Sequence, residues 1–297
     1  MRKIFMLSMV VLALSQLSSC AKKPEPPPAK PVRVSATKAY ERYFGPPPTA
    51  DKGTCFAFVI YFPSAREIGK VVPFPFFTFD EGSIKKVAVE RLLSGMDVGS
   101  YKGEFLRSFQ PDVRLLGISE KNGTVTVNFS KELTNLDVGT TCAGGPLDAM
   151  ALTLAQFQGV KEVRAAVEGK GGVISFANGC LVRQPIAADE GSVLEPGPPR
   201  LLSVTGVKDK GAKNVEEVSA YFDRPVEVQE LSMTDKNGAP FAGNMYHSVF
   251  DMAAVLKPKD PGVFKDRLPI KVRWKVTDKM GRNAEGENLW LLEIREH

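Results

Sequence analysis

The sequence predicts an α+β protein: a β-α-β-β-α-β sandwich in the first half and an all-β sandwich in the second. In the first half, short apolar strands alternate with two stretches of helical spacing. In the second half, strand candidates follow one another without helical periodicity. Between them, Pro196-Gly197-Pro198-Pro199 interrupts both patterns. We therefore expect two independently folding domains, over residues 50–190 and 198–297.

The first half divides at turn-forming residues. Ser83 is placed to cap a helix that Gly95 ends, and Pro146 and Gly159 bracket a second helix. Lys121-Asn122-Gly123 predicts a tight hairpin, because Asn and Gly accept positive φ. The expected elements are strands at 55–62, 113–119, 124–129 and 162–167, helices at 84–93 and 147–157, and a loop rich in Pro and Phe at 71–79.

The second half shows six short apolar stretches at intervals suited to a β-sandwich. Turn signals such as Asp223-Arg224-Pro225, the DKNG run at 235–238 and the DKMGRN run at 278–283 separate them. The expected strands are 201–207, 217–222, 226–233, 248–256, 270–277 and 289–294. Trp274 is expected to pack in the core between the sheets.

The first twenty residues predict export and lipidation. Arg2 and Lys3 precede an apolar run at 4–14 that is too short to span a bilayer as a stable helix. Leu17-Ser18-Ser19-Cys20 then fits the lipoprotein-processing pattern, so residues 1–19 are interpreted as a signal peptide and Cys20 as the lipidation site. The proline-rich stretch at 21–31 is expected to be extended, within a tether at 20–49. Lipid on Cys20 predicts a membrane-anchored, extracytoplasmic protein. Because Ala21 follows the cysteine, we expect the periplasmic face of the outer membrane if the cell has one, and otherwise the outer face of the cell membrane.

Composition narrows the function classes. The formal charge of +5 becomes +3 once Arg2 and Lys3 are removed, and without a basic run it does not suggest a nucleic-acid partner. His247 and His297 are the two histidines of the whole sequence. The expected first domain therefore lacks the base that a hydrolytic triad or a typical zinc site uses. We expect no cofactor and no enzymatic activity.

Three cysteines besides Cys20 raise a pairing question. Outside the cytoplasm cysteines tend to pair, and an odd number leaves one over. In the predicted sheet the first and last strands are neighbours, so Cys55, Cys142 and Cys180 are expected near the same end. We favour a Cys142–Cys180 disulfide closing a loop of about 38 residues, with Cys55 buried as a small apolar residue.

An ordered set of motifs in the first half resembles the GerMN domain. The pieces are VAVERLLSG at 87–95, GTVTVNFSKEL at 123–133 and AMALTLAQFQGVKEVRAAVEG at 149–169. The resemblance implies roles in sporulation, germination or envelope assembly. In the second half, the stretches at 218–226 and 272–281 resemble bacterial immunoglobulin-like domains, a build shared with periplasmic copper-resistance domains.

Two further groups of residues are candidates for binding. Met245, His247 and Met252 form a soft-ligand group suited to copper, although ordinary packing is the favoured interpretation. The phenylalanines of the 71–79 loop offer either an exposed patch for a partner or packing against the sheet, which is favoured. Their positions are Phe74, Phe76, Phe77 and Phe79.

Together these patterns predict a non-catalytic envelope lipoprotein that is a scaffold or interaction module for other envelope proteins. Two alternatives stay open: copper handling through the second domain, and regulation of cell-wall enzymes.

Overall fold

The α+β class is confirmed in the computed structural model, which describes residues 34–48, 55–95, 105–135, 145–248 and 250–296. Both halves belong to one compact unit that spans residues 32–297. The helices are α1 Lys38–Phe44, α2 Ile84–Ser94 and α3 Pro146–Ala155. The strands of the first half are β1 Val34–Ala36, β2 Cys55–Pro63, β3 Val71–Thr78, β4 Leu115–Lys121, β5 Thr124–Phe129, β6 Glu162–Val167, β7 Ile174–Ser175 and β8 Leu181–Val182.

In the described residues of the first half, two three-stranded sheets and the short antiparallel pair β7-β8 pack with the helices. β1 pairs parallel with β2, which pairs antiparallel with β3, and a second sheet has the order β4-β5-β6. The predicted neighbouring of the first and last strands is wrong, because β2 and β6 lie in different sheets. The predicted hairpin is confirmed: Asn122 and Gly123 have φ of 55° and 84° between β4 and β5.

The 71–79 segment was expected to be a loop, and that prediction is wrong. It contains β3, which pairs with β2 along its whole length, Tyr61 opposite Pro73 and Val59 opposite Pro75. The backbone carbonyl of Val71 accepts from the backbone N–H of Leu194, so the backbone groups of Val71 point away from β2. Pro73 and Pro75 follow at intervals of two residues and have the same orientation. Their missing N–H groups therefore point to the open edge, where a proline costs the ladder nothing.

Residues 34–44 belong to the folded body, although the sequence placed them in the tether. The side chain of Thr37 caps α1 by accepting from the backbone N–H of Tyr40. Gln156, after α3, holds this segment against β2. Its Oε1 accepts from Val59 N and Thr37 Oγ1, both at 2.8 Å, and its Nε2 donates to Val59 O at 2.6 Å. One amide side chain thus ties α3, β2 and the start of α1 together.

The second half is a β-sandwich, as predicted. A five-stranded sheet has the order β12-β13-β10-β9-β16, and a three-stranded sheet has the order β11-β14-β15. Between them lies a core that includes Phe222 and Trp274, whose rings meet edge to face at 5.6 Å. The strands are β9 Leu201–Lys208, β10 Glu217–Phe222, β11 Val226–Thr234, β12 Gly243–His247, β13 Ala253–Pro258, β14 Pro269–Asp278, β15 Asn283–Leu291 and β16 Glu293–Glu296.

Two predicted strands of the second half are corrected. The stretch at 248–256 begins with a turn, in which Asp251 has a φ of 53° and Ser248 N donates to Ala253 O. The strand before this turn, β12, was missed. The stretch at 289–294 changes sheets at buried Leu292, because β15 pairs with β14 and β16 pairs with β9.

Candidate functional site at the junction of the two halves

The predicted cysteine sites fall partly outside the described residues. Cys20 and Cys142 lie there, so lipidation and the Cys142–Cys180 pairing stay predictions. Cys180 is disulfide-bonded and buried against the core of the first half, in the turn between β7 and β8. Cys55 is a buried free cysteine, and burial raises the pKa of its thiol to about 11. It is therefore a neutral thiol at physiological pH.

The three predicted soft ligands do not have the same surroundings. Met245 and His247 are exposed on β12, and because they are two residues apart their side chains share one face of the sheet. Met252 is partly buried and packs against the core of the first half. Within the part of the chain that the structure describes, no group of three or more His, Cys, Asp or Glu is arranged to hold a metal ion.

Aromatic rings join the two halves on one side of the junction. Phe250, in the turn before β13, stacks on Phe77 at 4.6 Å between ring centroids and 10° between planes. It also lies 5.5 Å from Phe79 and so covers part of this otherwise exposed ring. Phe77 in turn meets the Tyr40 ring edge to face at 5.7 Å. Phe77 and Phe79 thus contact the second half, whereas Phe74 and Phe76 pack against the core of the first half.

Four charged residues form what we call the junction cluster: Asp223, Arg224, Asp278 and Arg282. Asp223 and Arg224 connect β10 to β11, and Asp278 and Arg282 flank the turn between β14 and β15. Antiparallel pairing brings both connections to the end of the sandwich that faces the first half. The side chains of Asp223, Arg224 and Asp278 are 6%, 5% and 1% exposed.

Arg224 lies at the centre of the junction cluster. Its Nε and Nη2 donate to the two carboxylate oxygens of Asp223, each at 2.9 Å, and its Nη1 lies 3.4 Å from Asp278 Oδ2. Nη1 also donates to Gly197 O at 2.7 Å, and the guanidinium lies over the ring of Phe44 at 5.8 Å. A bidentate arginine–carboxylate pair fixes geometry as well as charge.

Arg282 connects the junction cluster to the first half through hydrogen bonds. Its Nε donates to Asp278 Oδ2 at 2.6 Å, Nη1 donates to Pro196 O at 2.8 Å, and Nη2 donates to Tyr43 O at 2.8 Å. Asp278 Oδ1 accepts the backbone N–H groups of Met280 and Arg282, both at 2.9 Å. Each buried carboxylate thus has several donors, as a charge away from water requires.

A cleft of about 330 Å³ lies beside the junction cluster. Rings of Phe44, Phe74 and Phe105 line it. Charged residues of both signs come from the first half, the joining segment and the second half, among them Glu67, Glu195 and Arg224. Its walls belong to both halves, so its shape depends on their fixed orientation.

Sequence reasoning missed the junction cluster because both pairs of charges fall in turn signals. Asp-Arg-Pro and Asp-Lys-Met-Gly-Arg are expected in solvent-exposed turns. The available signal was an Asp and an Arg in each of two turns of one predicted sandwich. Nothing in the sequence marks the backbone carbonyls of Tyr43 and Pro196 as acceptors, since every residue offers a carbonyl.

No helix in the described ranges combines the length and the apolar character needed to cross a bilayer.

Comparison with known families identifies the first half. The family described as "Germane: Sporulation and spore germination" matches residues 59–172, and this part of the chain is a GerMN-type domain. No curated protein matches the sequence.

Several solved structures are similar to parts of the chain. The first GerMN domain of the sporulation protein GerM from Bacillus subtilis is 22% identical, covering 45% of this chain and 95% of that one, with a TM-score of 0.35. A putative lipoprotein from Clostridium perfringens is 16% identical over 46% of this chain and 95% of its own, with a TM-score of 0.28. PcoC, a methionine-rich copper resistance protein from Escherichia coli, is 15% identical over 33% of this chain and 100% of its own, with a TM-score of 0.23.

Proposed function

We propose that this chain is a non-catalytic lipoprotein of the bacterial envelope, and that its two halves together form a scaffold for other envelope proteins. The GerMN-type domain and its family's link to sporulation and germination support the envelope setting. The observation that carries the scaffold role is the junction cluster, whose two arginines lie in the second half and donate to backbone carbonyls of the first half and of the segment joining the halves. A binding surface spread over two domains requires such a fixed orientation.

The anchor is tested first, by labelling cells with radioactive palmitate. The wild-type protein takes up label in the membrane fraction, and Cys20→Ala takes up none and appears as soluble or uncleaved protein. Ser18→Ala is the matched control, because a small residue still precedes the cleavage site, and it is labelled like the wild type. An unlabelled wild-type protein contradicts the lipoprotein assignment.

The scaffold role is tested by complementation of a deletion strain. Wild-type protein restores the envelope phenotype. Arg282→Ala, which removes the contacts to Tyr43 O and Pro196 O, restores it only weakly, although the protein is anchored and folded. Arg273→Ala, on the outer face of the sandwich, is the matched control and complements fully. Full complementation by either half alone on the same anchor overturns the scaffold proposal.

Copper handling is a second candidate, favoured by the exposed side chains of Met245 and His247 on one face of β12. Protein purified without chelator is expected to contain copper, which Met245→Ala and His247→Ala each lower. Met252→Leu is the control, because Met252 packs against the first half. A purified protein that takes up no added Cu(I) excludes this function.

A further inference from the structure

Most edge strands in the described ranges carry a feature that opposes pairing with another chain. In the first half, β1 has three residues, and the open edge of β3 contains Pro73 and Pro75. A bulge interrupts β4, and the backbone N–H of Ile186 bonds the free side of β6 at Val163 O. Short strands, edge prolines, bulges and covered edges are the common protections against edge-to-edge association.

In the second half, three of the four edge strands of the sandwich have similar protections. β11 has a bulge between Val228 and Glu230, and β15 carries Glu285 and Glu287. Three of the four residues of β16 are charged, Glu293, Arg295 and Glu296. β12 differs: across Gly243–His247 it has no Lys, Arg, Asp or Glu, no proline and no bulge. Among the edge strands in the described ranges that are longer than three residues, β12 alone lacks all these protections.

At this edge, no backbone group of the described residues pairs with the outward N–H and C=O groups of β12. Lys259 N donates to Ala242 O and Ser248 N donates to Ala253 O, so the even-numbered residues face β13. In an antiparallel ladder the alternate residues point their N–H and C=O groups the other way. The backbone N–H and C=O groups of Gly243, Met245 and His247 therefore point away from the sheet. The side chains agree with an open edge, since Met245 is 45% and Tyr246 is 39% exposed.

We propose that β12 is a self-association edge, at which the β12 strands of two copies pair antiparallel about Met245 and join their five-stranded sheets. This register pairs all three outward residues: Met245 with its own copy, and Gly243 with His247 in both directions. A register shifted by two residues leaves one of them unpaired. A two-fold contact uses the same patch on both copies and closes after two chains.

The side chains of β12 fit its own copy. Position 243 has to be glycine, because an added Cβ would lie 2.4 Å from Lys257 O and 2.6 Å from Leu256 Cδ1. Because Gly243 has no side chain, it leaves room for the imidazole of His247 from the second copy. On the opposite face Asn244 meets Tyr246. No like charges face each other in this register, whereas antiparallel self-pairing of β15 about its middle residue would place Glu287 opposite Glu287 of the second copy.

The test is sedimentation of the mature chain from residue 20, with Cys20→Ser so that neither lipid nor a disulfide at that position contributes. The wild type is expected to approach twice the monomer mass as its concentration rises. Met245→Pro removes an outward N–H without removing a bond to β13, and it stays monomeric at the same concentrations. Met245→Ala keeps the N–H and still dimerises. Circular dichroism melts of both variants check that the fold is retained.

Residue-resolved hydrogen exchange locates the contact. The amides of Gly243, Met245 and His247 are expected to become protected as concentration rises, and this change is lost in Met245→Pro. The proposal is overturned by a wild type that stays monomeric, by a dimer that survives Met245→Pro, or by equal loss of dimer in the Ala and Pro variants. If the chain stays monomeric and an added extended peptide protects these amides, the occupant is a partner strand and self-association is wrong. Because β12 belongs to the second half, self-association at this edge does not depend on the lipid anchor.

Discussion

Two groups of ion pairs in the second half differ chiefly in their burial. On the outer face of the β11-β14-β15 sheet, Lys271 pairs with Glu287 at 2.5 Å and Arg273 pairs with Glu230 at 3.4 Å. These four side chains are 45–63% exposed. In the junction cluster the distances are similar, yet Arg224 is 5% exposed. Distance alone therefore does not tell the two groups apart.

Ion pairs of the same chemistry therefore have different effects on stability when they are exposed and when they are buried. An exposed pair exchanges one set of hydrogen bonds for another in water and adds about 0–1 kcal/mol. A buried pair is costly to form, but removing one partner leaves an uncompensated charge and costs about 3–5 kcal/mol. We therefore expect the outer pairs to tolerate substitution and the junction cluster to enforce one arrangement of the two halves.

Arg224→Ala is expected to have the largest effect. It leaves Asp223 and Asp278 buried with fewer donors, so the free energy of unfolding falls by about 3–5 kcal/mol. Urea unfolding followed by fluorescence measures the change. Arg273→Ala removes the same residue type from the exposed pair and is the control. Equal losses in the two variants contradict the comparison.

The disulfide of Cys180 is a covalent link whose contribution to stability can be compared with that of the junction cluster. Reduction is expected to lower the free energy of unfolding by about 3–4 kcal/mol if the partner is Cys142, on the chain-entropy estimate. Non-reducing peptide mapping checks the pairing, with Cys55 recovered as the free thiol. A peptide that links Cys180 to any cysteine other than Cys142 shows the pairing to be wrong.

Arg282→Ala is expected to have an intermediate effect, because Arg282 is 27% exposed and water can replace part of what it donates. We expect a loss of about 2 kcal/mol, in the range for hydrogen bonds to charged groups. Limited proteolysis between the halves, measured beside urea unfolding, shows whether their contact loosens. Unchanged proteolysis argues against Arg282 as a link between them.

Lys271→Ala is expected to have the smallest effect, below about 1 kcal/mol, and a smaller one still at 1 M salt, where exposed charges are screened. Thermal melts at low and high salt measure it. A loss as large as that of Arg224→Ala shows that burial is not the deciding difference.

Local pattern predicted much of the fold. The 84–93 helix, the Asn122-Gly123 hairpin and the strands at 124–129, 162–167 and 217–222 depend on spacing and turn chemistry within a few residues. The errors arose where long-range contacts decide. The segment at 71–79, rich in Phe and Pro, forms a strand because it pairs with β2. The stretch at 289–294 changes sheets because Leu292, between its two ends, is buried.

The sequence by itself determined the α+β class, the GerMN-type domain and the β-sandwich, since periodicity and turn residues are properties of neighbouring positions. Only the tertiary structure decided which charged residues are buried and form contacts at the junction. Asp223 and Arg224 are far along the chain from Asp278, and Tyr43 is farther still; their contact exists because antiparallel strands return the turns to one end of the sandwich. Burial at that end, and the open edge of β12 along one side, follow from the folded arrangement, because exposure is a property of the whole molecule.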